Sequence, residues 1–330
     1  MAKEPPNSIH PKTRADWRAW LEQNHTQTEG VWLISYKEAT GKPRLEYEEA
    51  VEEALDVPMD WIMVGNGSDE LLSVVIRACA DGDRNVVYPH PTYVLYRTLT
   101  QMQAAEPIDI PYVEDFRLPI EKLVETDGAV TFIASPNSPS GHVVPVSELR
   151  ALATRLSGVL VIDEAYVDFA EETALPLVKE FENVIILRTM SKSYSLAGLR
   201  LGFGIAKPKL LAGLFKVKDS YNVDAIACAV GAAAMRDQNY KNECIQKVKI
   251  SRAKLALDLK QLGFQLWDSQ TNFLLIKPPQ GNAEQIYEDL KEREILVRYF
   301  KQLGLEDKLR ITVGTEEQNQ ILVEALIDLV

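Results

Sequence analysis

The stretch NVIILRTMSKSYSLAGLRLGFG (183–204) opens on an apolar, β-branched run, passes through a hydroxyl-rich loop holding Lys192 and Arg200, and closes on a second run interrupted by glycines. A short continuous apolar run bounded by loop residues predicts a strand buried on both faces, and such strands belong to sheets covered by helices. Outward from it lie further runs of the same kind: WIMV (61–64), NVVY (85–88), VTFIAS (130–135), VLVID (159–163) and LGFGIA (201–206). The segments 69–80, 92–103 and 147–156 between them carry apolar residues at helical spacing. This alternation predicts an α/β three-layer sandwich built on a mainly parallel sheet. Ligands in such sheets collect at the carboxyl ends of the strands, so the residues that follow each run are the candidates for chemistry.

The second half changes character. A long helical segment over 240–262 leads to a strand at TNFLLIK (271–277), a helix over 283–292, a strand at LRITV (309–313) and a last helix, which together predict a smaller α+β domain. The first sixty residues stand apart: 16–23 reads as a short helix carrying Trp17 and Trp20, VWLISY (31–36) as a strand and 47–55 as an acidic helix. The chain therefore divides into an atypical N-terminal segment (1–57), a large domain (58–222), and a linking helix with a small C-terminal domain (223–330).

The formal net charge of −12 disfavours nucleic acid and anionic membrane as partners, because both bind proteins largely through Lys and Arg. Cys79, Cys228 and Cys244 are odd in number and far apart, so neither a disulfide framework nor a metal site is expected. No apolar stretch approaches the roughly 18 residues of a membrane span, and MAKEPPNSIHPKTR (1–14) lacks the apolar core of a secretion signal. A cytoplasmic protein is expected.

Three features at strand ends carry chemistry. The turn GNGSDELL (65–72) opens a helix, where free N–H groups and the helix dipole suit an anion; it also reads as a plain tight turn with Ser68 as N-cap. It is not a dinucleotide fingerprint, since Glu70 stands where the third glycine would be. The run VLVIDEAY (159–166) ends a buried strand on two carboxylates. A magnesium-holding hydrolase would also need a phosphate loop, but Gly41-Lys42 is followed by Pro43 and lacks the upstream glycine. A carboxylate there can instead pair with a protonated aromatic nitrogen. In the third, Lys192 lies among hydroxyl residues eight positions before Arg200. A loop lysine is usually a solvated charge, yet lysines in clefts form covalent links to carbonyl compounds, and an arginine fork suits phosphate. Gly202 and Gly204 would permit close approach of another backbone.

VGNGSDE (64–70), SPNSPSG (135–141), VIDEAYVDF (161–169), LRTMSKSYSLAGLRLGF (187–203) and LRITVGT (309–315), in this order, resemble the fold type I pyridoxal-phosphate aminotransferases, nearest the histidinol-phosphate aminotransferases. The resemblance covers about 58–330. It implies an aspartate-aminotransferase-like large domain and pyridoxal 5'-phosphate held on the Lys192 amine. It further implies Asp163 against the pyridine nitrogen, Tyr166 on the ring hydroxyl, Tyr93 stacked on the ring, and Ser191, Arg200 and the backbone at Ser68 and Asp69 on the phosphate. Arg310 matches the arginine that grips the acidic end of the substrate, and Arg298 a second anion-binding arginine. The implied reaction is histidinol phosphate plus 2-oxoglutarate to imidazole acetol phosphate plus glutamate, an amine donor and a 2-oxo acid acceptor meeting in a homodimer.

Two departures from the family pattern stand out. Before the second proline of SPNSPSG the family has an asparagine that contacts the ring hydroxyl; here Ser138 holds that position and Asn137 precedes it, so Asn137 is the candidate contact. The family's N-terminal arm, with an R-Y-P-x tyrosine that reaches the partner subunit's cofactor, has no counterpart. Residues 10–55 instead resemble a small bacterial family linked to bacteriocin protection, and Tyr36 is the candidate stand-in for the arm's tyrosine. An aromatic aminotransferase, a phosphothreonine decarboxylase, or a cofactor-binding stress protein without turnover are the other readings.

Overall fold

The computed structural model describes residues 47–80 and 84–330, together with Ser8–Ile9, Trp32–Leu33 and positions 16, 19, 20 and 23. Seven strands form the main sheet: β1 (Ile62–Gly65), β2 (Val86–His90), β3 (Pro107–Pro111), β4 (Val130–Ala134), β5 (Val159–Asp163), β6 (Val184–Thr189) and β7 (Gly202–Ala206). Their spatial order is β1-β7-β6-β5-β4-β2-β3. Pairing is parallel from β3 through β6; β7 runs antiparallel to both of its neighbours.

Alternate residues of the central strands enter opposite apolar layers. Ile133, Leu160, Ile162 and Ile186 join one core, with residues of the helices Tyr47–Leu55, Val146–Arg155 and Ala225–Arg236. Phe132, Val161, Ile185 and Leu187 join the other, with the helices Ser68–Cys79 and Pro208–Leu214. Burial on both faces is why these strands read as unbroken apolar runs. The layers are helix, sheet, helix, as expected.

Two helices pack on the large-domain core from outside its expected bounds. The helix Tyr47–Leu55, set with the N-terminal segment on sequence, buries Tyr47, Ala50 and Val51 completely, and Tyr47 meets Phe203 edge-on at 6.1 Å. It belongs to the large domain. The helix Ala225–Arg236 likewise gives Ala232 and Met235 to the large-domain core. A Cβ at Gly231 would lie 2.9 Å from the Tyr47 ring, so glycine there lets the two helices close.

The smaller unit is a four-stranded antiparallel sheet in the order β8-β9-β11-β10, formed by β8 (Gln265–Leu266), β9 (Phe273–Lys277), β10 (Arg298–Tyr299) and β11 (Leu309–Thr312). Its core includes Leu255 and Leu259 of the long helix Gln238–Gln261, with Ile286, Leu290 and Leu326. Toward the start of the chain, positions 16, 19, 20 and 23 are helical and Ser8–Ile9 pairs in parallel with Trp32–Leu33. Tyr36 lies outside the described residues.

Candidate active site

The carboxyl ends of β1, β4, β5 and β6 face one cavity of about 280 Å³, lined among others by Ser68, Asp69, Tyr93, Asp163, Tyr166, Ser191, Lys192, Arg200 and Arg310. Register explains the convergence. Ala134 of β4 and Leu187 of β6 both pair with Asp163 of β5, so the loops after three adjacent strands leave the sheet together.

One side of the cavity is built for an anion. β1 ends at Gly65, and the chain turns through Gly67, at φ +81°, into the helix that begins at Ser68. The cap position is therefore Gly67, and Ser68 lies within the first helical turn. A Cβ on Gly67 would sit 2.7 Å from an Arg200 guanidinium nitrogen, and one on Gly202 would sit 2.5 Å from the Ser68 nitrogen. Both glycines thus let Arg200 and β7 close against the helix N-terminus. Arg200, itself in the left-handed region at φ +53°, donates to Asp69 at 3.4 Å with both side chains partly exposed. The Ser191 hydroxyl completes this side, accepting from Thr189 at 3.0 Å.

The opposite wall holds Asp163, which is 6% exposed. Its two oxygens accept from the Tyr96 hydroxyl at 2.8 Å and the Ala165 N–H at 3.1 Å. Burial raises its proton affinity to about 6, against the lowering effect of those two hydrogen bonds; Asp69 adds to the rise and Lys192 opposes it. Glu164, the next residue, has a different role. It is buried and accepts from Arg188 Nε at 2.9 Å, the Thr173 hydroxyl at 2.9 Å and the Ala174 N–H at 2.6 Å. The pair ties the loop after β5 to β6, which carries Arg188.

Lys192 places its Nζ 5.2 Å from the centre of the Tyr166 ring, and Tyr166 meets Phe273 of the small domain edge-on at 5.2 Å. Tyr93 reaches Asp69 at 3.3 Å; burial foremost, then the Asp69 charge, raise its phenol well above the ordinary value. Arg310, on β11, enters from the small domain. Its guanidinium lies 4.8 Å from the Phe273 ring centre, and one nitrogen donates to the Ser138 hydroxyl at 2.8 Å. Its Nε is buried without a partner, and no carboxylate among the described residues pairs with it. Burial lowers its proton affinity, Tyr166 opposes that, and the nearby charge of Arg298 adds to it.

Two residues singled out from sequence do not line the cavity. Asn137 is fully buried, accepting from Thr92 at 2.6 Å and donating to the Pro91 carbonyl at 3.1 Å and to Ser140 at 2.8 Å. Its amide ties the loop after β2 to the loop after β4, and Ser138 lines the cavity instead. Arg298 pairs with Arg310 across β10 and β11 but is exposed and stacks over Phe300 at 5.5 Å. Sequence reading missed Tyr96, Thr189 and Ala197. Tyr96 carried a signal, being the third tyrosine of YPHPTYVLY (88–96), three residues after Tyr93.

These residues fit pyridoxal phosphate. The buried carboxylate has hydrogen-bond donors but no bonded cation, a cavity with a lysine amine lies against it, and a helix N-terminus with an arginine supplies the phosphate seat. The family model for aminotransferase class I and II matches residues 39–326. The chain belongs to the class I and II aminotransferases, which are pyridoxal-phosphate enzymes. Within that class, it is 68% identical over 301 residues to histidinol-phosphate aminotransferase 1 of Trichormus variabilis, covering 91% of this chain and 85% of the relative. It is 44% identical over 300 residues to histidinol-phosphate aminotransferase of Citrifermentans bemidjiense, again covering 91% and 85%. Among solved structures it superposes with TM-score 0.80 and 25% identity on the Sinorhizobium meliloti histidinol-phosphate aminotransferase in complex with pyridoxal 5'-phosphate, over 86% of this chain and 82% of that one. A second family model, a domain of unknown function, matches residues 9–64. That description gives no activity, and the bacteriocin-protection likeness stays a resemblance of sequence.

Proposed function

We propose that this chain is a histidinol-phosphate transaminase that carries pyridoxal phosphate on Lys192 and uses a 2-oxo acid as amino acceptor. The observation that carries the reading is a half-buried Arg310 with no carboxylate partner among the described residues, held over the same cavity as Lys192 and Asp163. A phosphorylated amine would supply the missing anion, and Arg298 on the neighbouring strand adds a second positive charge suited to a dianion. The close likeness to histidinol-phosphate aminotransferases supports the same substrate.

When bound, pyridoxal phosphate supplies an electron sink for negative charge developing on the substrate carbon. Asp163 would pair with the ring nitrogen and keep it protonated. Tyr166 would orient the ring by its hydroxyl, and Tyr93 would cover a ring face. Ser191, Arg200 and the backbone N–H groups at Ser68 and Asp69 hold the phosphate, where the helix N-terminus favours negative charge. The Nζ of Lys192 would hold the cofactor and, when free, would serve as the general base for the proton on the substrate carbon. We propose a cytoplasmic homodimer. The exposed Tyr221, Ile226 and Tyr240 give it apolar surface to cover, and no helix among the described residues is long and apolar enough to cross a membrane.

The test is an absorbance spectrum of the protein loaded with pyridoxal phosphate, taken before and after histidinol phosphate, phenylalanine or phosphothreonine is added without acceptor. Bleaching of the yellow band by histidinol phosphate at the lowest concentration supports the reading. Preference for either other amine, or binding without bleaching, refutes it.

A further inference from the structure

The hydroxyl of Tyr96 reaches Asp163 from a residue 67 positions away in sequence. Tyr96 is fully buried; its ring stacks on Phe132 at 4.8 Å with planes 12° apart and meets Tyr93 edge-on at 5.7 Å. Such packing leaves the hydroxyl little freedom, so its direction toward one carboxylate oxygen is fixed by the core. The other oxygen is bound by the backbone N–H of Ala165.

We propose that Tyr96 is a positioning residue for Asp163: its buried hydroxyl locks the carboxylate in place and keeps it ionised, ready to pair with a protonated ring nitrogen. The proposal rests on the cofactor reading above for its purpose, but its physical content concerns the protein alone. Around Asp163 stand Tyr93 and Tyr96 from the segment after β2, Asp69 from the helix after β1, Lys192 from the loop after β6, and Tyr166 from its own loop. Asp69 pushes the carboxyl toward its neutral form, Lys192 pulls it toward the charged form, and burial outweighs both. The backbone N–H of Ala165 and the Tyr96 phenol are the two hydrogen bonds that favour the charged form. Burial first, then the charge of Asp163, hold that phenol well above its ordinary value, so it keeps its proton and donates it to the carboxylate. Hydrogen bonds to charged groups are about twice as strong as neutral ones, and losing one moves a carboxyl midpoint by about one to two pH units.

The experiment is an infrared titration of the cofactor-free protein, following the protonated-carboxyl band that disappears in Asp163→Asn. Tyr96→Phe retains the ring and its stack on Phe132. Its Asp163 midpoint should rise by about one to two pH units, and its affinity for pyridoxal phosphate near neutral pH should fall about tenfold, recovering at higher pH. Should Tyr96→Phe not fold, 3-fluorotyrosine placed at position 96 is nearly isosteric and a stronger donor, and should move the midpoint down. An Asp163 midpoint unmoved in a folded variant overturns the proposal. A midpoint that rises in Tyr96→Phe while the wild-type protein binds no pyridoxal phosphate would count against the cofactor reading alone.

Discussion

Replacing Asp163 by asparagine should make the cofactor-free protein more stable at neutral pH while removing its chemistry. The folded protein holds the Asp163 proton to about pH 6, whereas the free side chain releases it at 3.8. A carboxyl whose proton affinity is raised on folding stabilises the native state fully below the unfolded value, and that contribution is lost as pH rises through the folded one. Slightly more than two pH units at about 1.4 kcal/mol each amounts to about 3 kcal/mol against the ionised native state above pH 7. An amide at this position does not ionise. Its oxygen can accept from Ala165, and the Tyr96 hydroxyl can turn to accept from its nitrogen, so few hydrogen bonds are lost. Urea unfolding of both cofactor-free proteins between pH 4 and pH 8 is the assay. The advantage of Asp163→Asn should be small near pH 4, grow through pH 6 and level off at about 2–3 kcal/mol. A difference that ignores pH, or a variant less stable than wild type at pH 7.5, would refute the reasoning.

Three further outcomes follow from the geometry. Arg188→Met strands the buried Glu164 charge on Thr173 and Ala174 alone, and should cost roughly 3–5 kcal/mol of stability by urea unfolding; adding Glu164→Gln should restore much of it. Gly67→Ala forces a side chain into the left-handed region and against Arg200, so the dissociation constant of pyridoxal phosphate, read by fluorescence, should rise at least tenfold. Arg310→Lys replaces a planar fork with a point charge and should raise KM for a phosphorylated amine by roughly tenfold while leaving cofactor affinity unchanged.

The sheet was legible because its central strands are buried on both faces, so VLVID matches β5 residue for residue and the other runs lie within one or two positions. The missed strand is β3, Pro107–Pro111, whose two prolines and Asp109 break the apolar pattern; an edge strand tolerates them because it pairs on one side only. The helix Tyr47–Leu55 was recognised, but its packing was not, since its acidic face dominates its composition while Tyr47, Ala50 and Val51 do the packing. At the site, Asp163, Lys192 and Arg200 could be found because Asp163 ends a strand and the other two lie in the loop between two strands. Tyr96 on Asp163, and Arg310 on Ser138, are contacts between distant segments, and no local pattern encodes them. Asn137 and Ser138 show the limit of motif reading: adjacent residues point opposite ways, one into the core and one into the cavity.

The position of β1 has a consequence for how the protein is made. β1 lies at the sheet edge and bonds only to β7, the last strand of the sheet in chain order. During synthesis its residues must wait without a strand partner until the ribosome has released the chain past Ala206, and closing so long a loop is slow. The turn before Ser68 and the Arg200 side chain come together only once that pairing forms. An anionic ligand held between them would therefore report completed assembly, and free ligand would pull the newly finished chain toward the native state by mass action.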